Sequence, residues 1–255
     1  MSNAIIDVRE LRKVYRVGSE QVVALDNISL TIPSGQICCI VGTSGSGKST
    51  LLNQLAGLEK PTRGSVIIDG RNIPALTENQ LARFRQKNVG FVFQSYNLMP
   101  FMTALENVSM PLIFRGVAKA KRQKAAVHIL SEVGLRDRMR HTPSQMSGGQ
   151  QQRVGIARAF VSFPKIIFAD EPTGNLDSRT TAEVMRMIVR LVRQHNQTLV
   201  LVTHDPELAK YADRIVTIKD GNITEDVANQ SIADLPLPAE NAGDEPIPEE
   251  KGADE

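Results

Sequence analysis

Eight consecutive residues, Gly42-Thr43-Ser44-Gly45-Ser46-Gly47-Lys48-Ser49, place three glycines, four hydroxyls and a lysine in the spacing G-x-x-x-x-G-K-[ST]. Glycines let successive backbone N–H groups turn toward one point, where the following helix adds the positive end of its dipole. That is a cradle for a polyphosphate. Lys48 has the reach for β- and γ-phosphates, and the Ser49 hydroxyl is a ligand for Mg²⁺. The nucleotide-binding set read here is Gly42, Thr43, Ser44, Gly45, Ser46, Gly47, Lys48, Ser49 and Thr50, with ATP and Mg²⁺ as the cofactors.

A second anchor for the metal stands far along the chain. Lys165-Ile166-Ile167-Phe168-Ala169-Asp170-Glu171 is an apolar run ending in two carboxylates. Asp170 would hold Mg²⁺ through water, and Glu171 would polarise an attacking water as general base. Paired acids at a strand end are often only surface residues; beside a phosphate loop they point to ATP hydrolysis.

These groups need a rigid frame. Three apolar runs bounded by turn residues, Ile37–Val41, Ile166–Phe168 and Leu199–Val202, read as buried strands between helical patterns, hence a parallel sheet with helices on both faces. The first leads into the glycine loop and then a helix stopping near Gly57. Ile5–Val8, Leu25–Ile32 and Ser65–Ile68 alternate and are β-branched, which predicts an antiparallel layer beside the core. From about Asn97 to Phe163 helical periodicity dominates. The expected fold is α/β: a P-loop NTPase core with an antiparallel β layer and a helical subdomain inserted at about 97–163, all within residues 1–225.

Composition bounds the rest. The 255 residues are 41% apolar and 23% charged, ordinary for a soluble domain with a sizeable core. No apolar run approaches the roughly 18–20 residues that span a bilayer, and the N-terminus has no secretory pattern. A cytoplasmic chain is expected, with any membrane role through a partner. Cys38 and Cys39 sit in a strand pattern and lack metal-ligand spacing, so buried thiols are expected. From Asp226 to Glu255 nine acidic residues face one lysine, while the rest carries 29 basic and 19 acidic residues. The tail at 226–255 is expected to be disordered and solvating, and the positive body suits a polyphosphate.

Further motifs carry a family resemblance. With Gln94, Ser147-Gly148-Gly149-Gln150, Asp170-Glu171 and His204, the chain from about Ile5 to Asn222 resembles the ATP-binding cassette family, the nucleotide-binding subunits of ABC transporters. The resemblance implies that Tyr15 stacks on adenine. It implies that Gln94 touches Mg²⁺ and links the core to the helical insertion, and that His204 contacts the γ-phosphate. Met146 replaces the usual leucine before the Ser147–Gln150 signature, apolar for apolar. Gly174-Asn175-Leu176-Asp177 matches the loop at the dimer interface. His128, His141 and His195 match no motif. Ser147, Gly148 and Gly149 before a helix form a second anion site. In the family that site faces the ATP of a second copy of the chain, so two cassettes enclose two ATP molecules. Binding closes the dimer and hydrolysis releases it.

The segments 90–100, 103–108 and 169–177 are similar to those of bacterial lipoprotein-releasing and macrolide- or peptide-exporting systems. That implies a separate transmembrane permease as partner, membrane contact only through it, and no nucleic acid. Ser95–Met102, with Tyr96, Leu98, Met99, Phe101 and Met102, is the expected docking surface. Chromosome-maintenance cassettes carry a long coiled coil where this chain has about 70 residues without heptads, and translation-type chains carry two cassettes. A regulatory or scaffolding ATPase of a membrane complex, moving no substrate, stays open because its ATP cycle would be the same.

Overall fold

The computed structural model describes residues 4–229. The chain opens with a long hairpin, β1 (Ala4–Val17) and β2 (Glu20–Pro33), then β3 (Ile37–Val41) and α1 (Lys48–Leu55). Next come β4 (Arg63–Ile68), β5 (Arg71–Asn72), α2 (Glu78–Asn88) and β6 (Val89–Phe93). Helices α3 (Ala104–Phe114), α4 (Lys119–Glu132) and α5 (Gly148–Phe160) precede β7 (Ile166–Asp170), α6 (Ser178–Gln194) and β8 (Thr198–Thr203). Strands β9 (Arg214–Lys219) and β10 (Asn222–Ala228) close the described chain.

The central sheet has the order β10-β9-β3-β8-β7-β6, and the smaller sheet β2-β1-β4-β5. In the central sheet β9, β3, β8, β7 and β6 are parallel and β10 is antiparallel. All pairs of the smaller sheet are antiparallel. Why the apolar runs are continuous is visible in the packing. Ile37 and Cys39 of β3 face a core built with α3, α4, α5 and α6, whereas Cys38 and Ile40 face one built with α1, α2 and the antiparallel sheet. A strand covered on both faces has no solvent side on which to place polar residues. Burial pushes both thiols up to about 12, so they stay protonated and inert at neutral pH.

Helix α6 shows the complementary pattern. Val184, Met185, Ile188, Leu191 and Val192 are buried on one face, each burial stabilising by roughly 1.5–3 kcal/mol. Asp177 caps it, its carboxylate accepting from the Thr180 N–H at 3.0 Å. Between Asn97 and Phe163 the described residues form helices and turns without a strand.

Three expectations need adjustment. Strand β6 is not evident in the sequence, because Gly90 interrupts its apolar run. A Cβ there would come 2.4 Å from the Ala159 carbonyl of α5, so glycine is what lets helix and strand meet. Strands β9 and β10 were also unread; their mixed charged and apolar residues suit a sheet edge. Finally, the acidic tail was expected from residue 226, yet Asp226–Ala228 pair with β9, and Asp226 bridges Arg214 at 2.5 Å. The remainder of the expected tail, 230–255, lies outside the described residues.

Candidate active site

Parallel pairing brings the chemistry together. Val41 pairs with Thr203, Asp170 with Val202, and Phe93 with Asp170. The carboxyl ends of β3, β8, β7 and β6 therefore finish along one edge of the sheet, where open α/β folds bind ligands. From that edge emerge the glycine loop, His204, Glu171 and Gln94.

The loop is tight because its glycines have no side chain. A Cβ on Gly42 would lie 2.2 Å from the Ile218 carbonyl, and one on Gly47 (φ 104°) 2.5 Å from the Ala24 carbonyl. Lys48 is buried, with Nζ donating to the Thr43 carbonyl at 2.7 Å across the loop. Burial lowers its pKa, against the pull of Glu171 and Asp170. The Ser46 hydroxyl is buried without a hydrogen-bond partner among the described residues. A polyphosphate would complete both groups, so the residues present fit one. Ser49 Oγ lies 3.4 Å from Asp170 Oδ1. Burial raises the Asp170 pKa, Ser49 opposes this and Glu171 adds to it, the position of a carboxylate that gains from a divalent cation. Two hard oxygens so placed are a donor set for Mg²⁺.

Glu171 follows β7 in the left-handed region, φ 45°. Its N–H donates to the Val202 carbonyl at 2.9 Å and its carbonyl accepts from the Gly174 N–H at 3.1 Å, which holds this costly conformation. Glu171 Oε1 sits 2.7 Å from His204 Nδ1. The two side chains line a cavity of about 400 Å³ with Thr203, Gly174 and Ser178. Gln94 turns toward the neighbouring loop: Nε2 reaches Asn175 Oδ1 at 3.5 Å, and the Gln94 carbonyl accepts from Asn175 Nδ2 at 3.0 Å.

The Ser147–Gln150 segment stands elsewhere. Ser147 caps α5 reciprocally, Oγ accepting from the Gln150 N–H at 3.3 Å and the Ser147 N–H donating to Gln150 Oε1 at 3.1 Å. Its hydroxyl proton is left to donate. Ser147, Gly148, Gly149 and Gln150 line a second cavity with Asn175 and Thr180, and none of the glycine loop, Asp170, Glu171 or His204 borders it. Cβ atoms on Gly148 and Gly149 would meet Tyr96 Oη at 2.9 Å and Thr180 Cγ2 at 2.8 Å. A side chain at either position would force Tyr96 or Thr180 to shift. Tyr15 is on β1, its hydroxyl donating to Glu59 Oε2 at 2.6 Å and meeting Thr50.

Sequence reasoning missed two residues that join the sites. Buried Gln152 of α5 donates from Nε2 to the Phe93 carbonyl at 3.3 Å and to the Pro172 carbonyl, bracing the helix against the ends of β6 and β7. Arg158 donates to the carbonyls of Tyr96 and Asn97 at 2.8 and 2.5 Å, holding two consecutive residues at φ 55° and 49°. Gln152 is the third of three consecutive glutamines, and nothing in the sequence marks it as the buried one. The expected docking stretch divides: Leu98 packs on the helical core, whereas Phe101 is 95% exposed and Met99 and Met102 are exposed. An apolar groove lies beside it, lined by Leu58, Phe91, Phe93, Met110, Phe114 and Asn97, and of 95–102 only Asn97 contributes.

The family model described as ABC transporter matches residues 25–174, more than half of the chain. The chain belongs to the ABC transporter family. It is an ATP-binding cassette, the ATPase domain of that family, whose cofactors are ATP and Mg²⁺. Among its relatives the macrolide export ATP-binding/permease protein MacB of Photorhabdus laumondii subsp. laumondii is 44% identical over 228 residues, 89% of this chain but 35% of that protein. MacB of Syntrophobacter fumaroxidans is 46% identical over 91% of this chain and 32% of its own length. The cassette thus spans about a third of these relatives. An uncharacterized ABC transporter ATP-binding protein of Methanocaldococcus jannaschii, MJ1508, is 48% identical over 87% of this chain and 98% of its own. A solved dimeric, post-hydrolysis structure of the cassette MJ0796 bound to ADP and Pi superimposes with a TM-score of 0.81 at 42% identity, covering 88% of this chain and 98% of that one. No helix of the described residues is long and apolar enough to cross a membrane.

Proposed function

We propose that the cassette is the ATP-hydrolysing subunit of an ABC transporter. It works as a homodimer around two ATP–Mg²⁺ and drives a separate transmembrane permease for lipoprotein release or export of a hydrophobic or peptide-like substrate. One observation carries the reading. The Glu171–His204 pair lines one cavity at the sheet edge that also carries the glycine loop, and the glycine-rich Ser147–Gln150 segment lines another that none of the glycine loop, Asp170, Glu171 or His204 borders. Each is half of a composite site, and a second copy supplies the other half.

When bound, Mg²⁺ would neutralise phosphate charge, and Ser49, Asp170 and Gln94 would hold it. Lys48 and the N–H groups of Gly42–Thr50 bind the phosphates. Glu171 accepts the proton of the attacking water at its carboxylate, and His204, 2.7 Å away, orients that carboxylate. The nitrogen of His204 not facing Glu171 is left for the γ-phosphate. Tyr15 stacks on the base, and Ser147, Gly148, Gly149 and Gln150 close on the partner copy's γ-phosphate. Gln152 ties the signature helix to the hydrolytic edge, so movement of α5 is felt at Pro172, next to Glu171.

In this reading the apolar groove and exposed Phe101 form the permease-facing surface, and the cassette works on the cytoplasmic face of the membrane. Exposed aromatics around a groove suit insertion of a short amphipathic helix. The paired substitutions Phe101→Ser and Phe114→Ser are expected to abolish co-purification of a membrane protein from detergent-solubilised membranes. ATPase activity without membranes should be unchanged. Retention of the same membrane protein at wild-type yield would refute this surface.

A further inference from the structure

Beside the phosphate loop lies a polar cluster centred on Glu59, a residue to which the ATP chemistry above gives no role. Glu59, in the turn after α1, receives three donors. Tyr15 Oη reaches its Oε2 at 2.6 Å, Lys13 Nζ lies 3.2 Å from the same oxygen, and Asn53 Nδ2 of α1 reaches Oε1 at 3.1 Å. Lys13 is itself fixed, donating to the Lys60 carbonyl at 2.8 Å, and its Nζ stands 5.0 Å from the centre of the Tyr15 ring. Thr50 meets the Tyr15 hydroxyl from the first turn of α1. Lys13 and Glu59 side chains are only 15% and 32% exposed, so these contacts are shielded from solvent.

We infer that Glu59 is a positioning residue for the nucleotide base, locking Tyr15 at a fixed distance from the phosphate cradle so that one ring face is presented for stacking. The inference rests on the reading of Tyr15 as the base-stacking residue. Geometry supplies the reason. Asn53 and Thr50 belong to the helix that begins at the phosphate loop, so Glu59 connects the ring to the element that holds the phosphates. The Lys13 ammonium sits over one face of the ring, so a base would stack on the opposite face. A ring free to rotate would give back as entropy much of what stacking supplies. Protonation states agree with this role. Burial pushes the Glu59 carboxyl up, but donation from Tyr15, Lys13 and Asn53 outweighs it and the net shift is downward. Burial and then the bond to Glu59 push the Tyr15 phenol up, so it remains a donor.

The test compares ATP with inorganic tripolyphosphate, which has no base, by calorimetric titration in the presence of Mg²⁺. Tyr15→Ala is expected to weaken ATP roughly tenfold and leave tripolyphosphate unchanged. Glu59→Ala and Tyr15→Phe, which break the same hydrogen bond from opposite ends, should each weaken ATP about three- to tenfold with tripolyphosphate unaffected. The pair combined should cost no more than either alone. If Tyr15→Ala lowers ATP affinity while Glu59→Ala and Tyr15→Phe do not, positioning by Glu59 is wrong and base stacking stands. If Tyr15→Ala itself leaves ATP affinity unchanged, base stacking is wrong and the inference goes with it. Equal weakening of ATP and tripolyphosphate by Glu59→Ala would mean that the cluster only supports the phosphate loop, which also overturns the inference. Tyr15→Phe retains the ring and its packing, so the question stays open to test even if Glu59→Ala does not fold.

Discussion

Glu171→Gln is expected to lower ATP turnover by at least about a hundredfold while leaving ATP binding intact. The amide has the size of the carboxylate, and its oxygen can still accept a hydrogen bond from His204. What it lacks is the ability to take a proton from water. The backbone should tolerate the change, because the left-handed conformation at 171 is held by the Val202 carbonyl and the Gly174 N–H, not by the side chain. Binding without hydrolysis leaves the closed form no way to open. A stable dimer should accordingly appear in size-exclusion chromatography with ATP and disappear with ADP. Phosphate release at the wild-type rate would falsify the assignment of Glu171 as general base.

Lys48→Ala should act one step earlier. Its ammonium is the one full positive charge of the cradle and is largely removed from water, so a phosphate partner gains more from it than from an exposed lysine. Truncating one member of such a pair costs about 2–5 kcal/mol. The expected result is a loss of ATP affinity of about a hundredfold, read by titration with a non-hydrolysable analogue. The Thr43 carbonyl loses its donor at the same time, so thermal melting of the ligand-free variant is needed beside it. An unchanged melting temperature with lost affinity assigns the effect to binding, and unchanged affinity refutes Lys48 as the phosphate anchor. The two variants separate the cycle: one fails to bind, the other fails to release.

The site was legible where chemistry demands local sequence. Gly42–Ser49 must be contiguous, since successive N–H groups have to converge, and Asp170-Glu171 must end a strand to reach the same edge. The strands β3, β7 and β8 were equally plain, because burial on both faces leaves an unbroken apolar run. Strand β6 was hidden by Gly90, whose purpose is a contact with α5 seen only in three dimensions. The last hairpin was hidden because β10 is almost wholly exposed and carries Glu225 and Asp226. Gln152 and Arg158 were missed for a different reason. Each acts on backbone carbonyls distant in sequence, and a carbonyl leaves no trace in the identity of its residue. The cluster around Glu59 was invisible in the same way, since residues 13, 15, 53 and 59 come from a strand, a helix and a turn.

The separation of the glycine loop from the Ser147–Gln150 cavity on one chain has a genetic consequence. In the proposed dimer, Lys48→Ala and Ser147→Arg each spoil both composite sites when every copy carries the same lesion. In a mixed pair the two lesions fall in the same site, and the other site is built wholly from sound parts. Co-expression of two inactive alleles should therefore restore ATP hydrolysis to about a quarter of the wild-type rate, half of the pairs being mixed and each having one working site. Two alleles both altered at Lys48 should give no such rescue. The dose of one gene would then be read by pairs of its products, and complementation would map which residues work in trans.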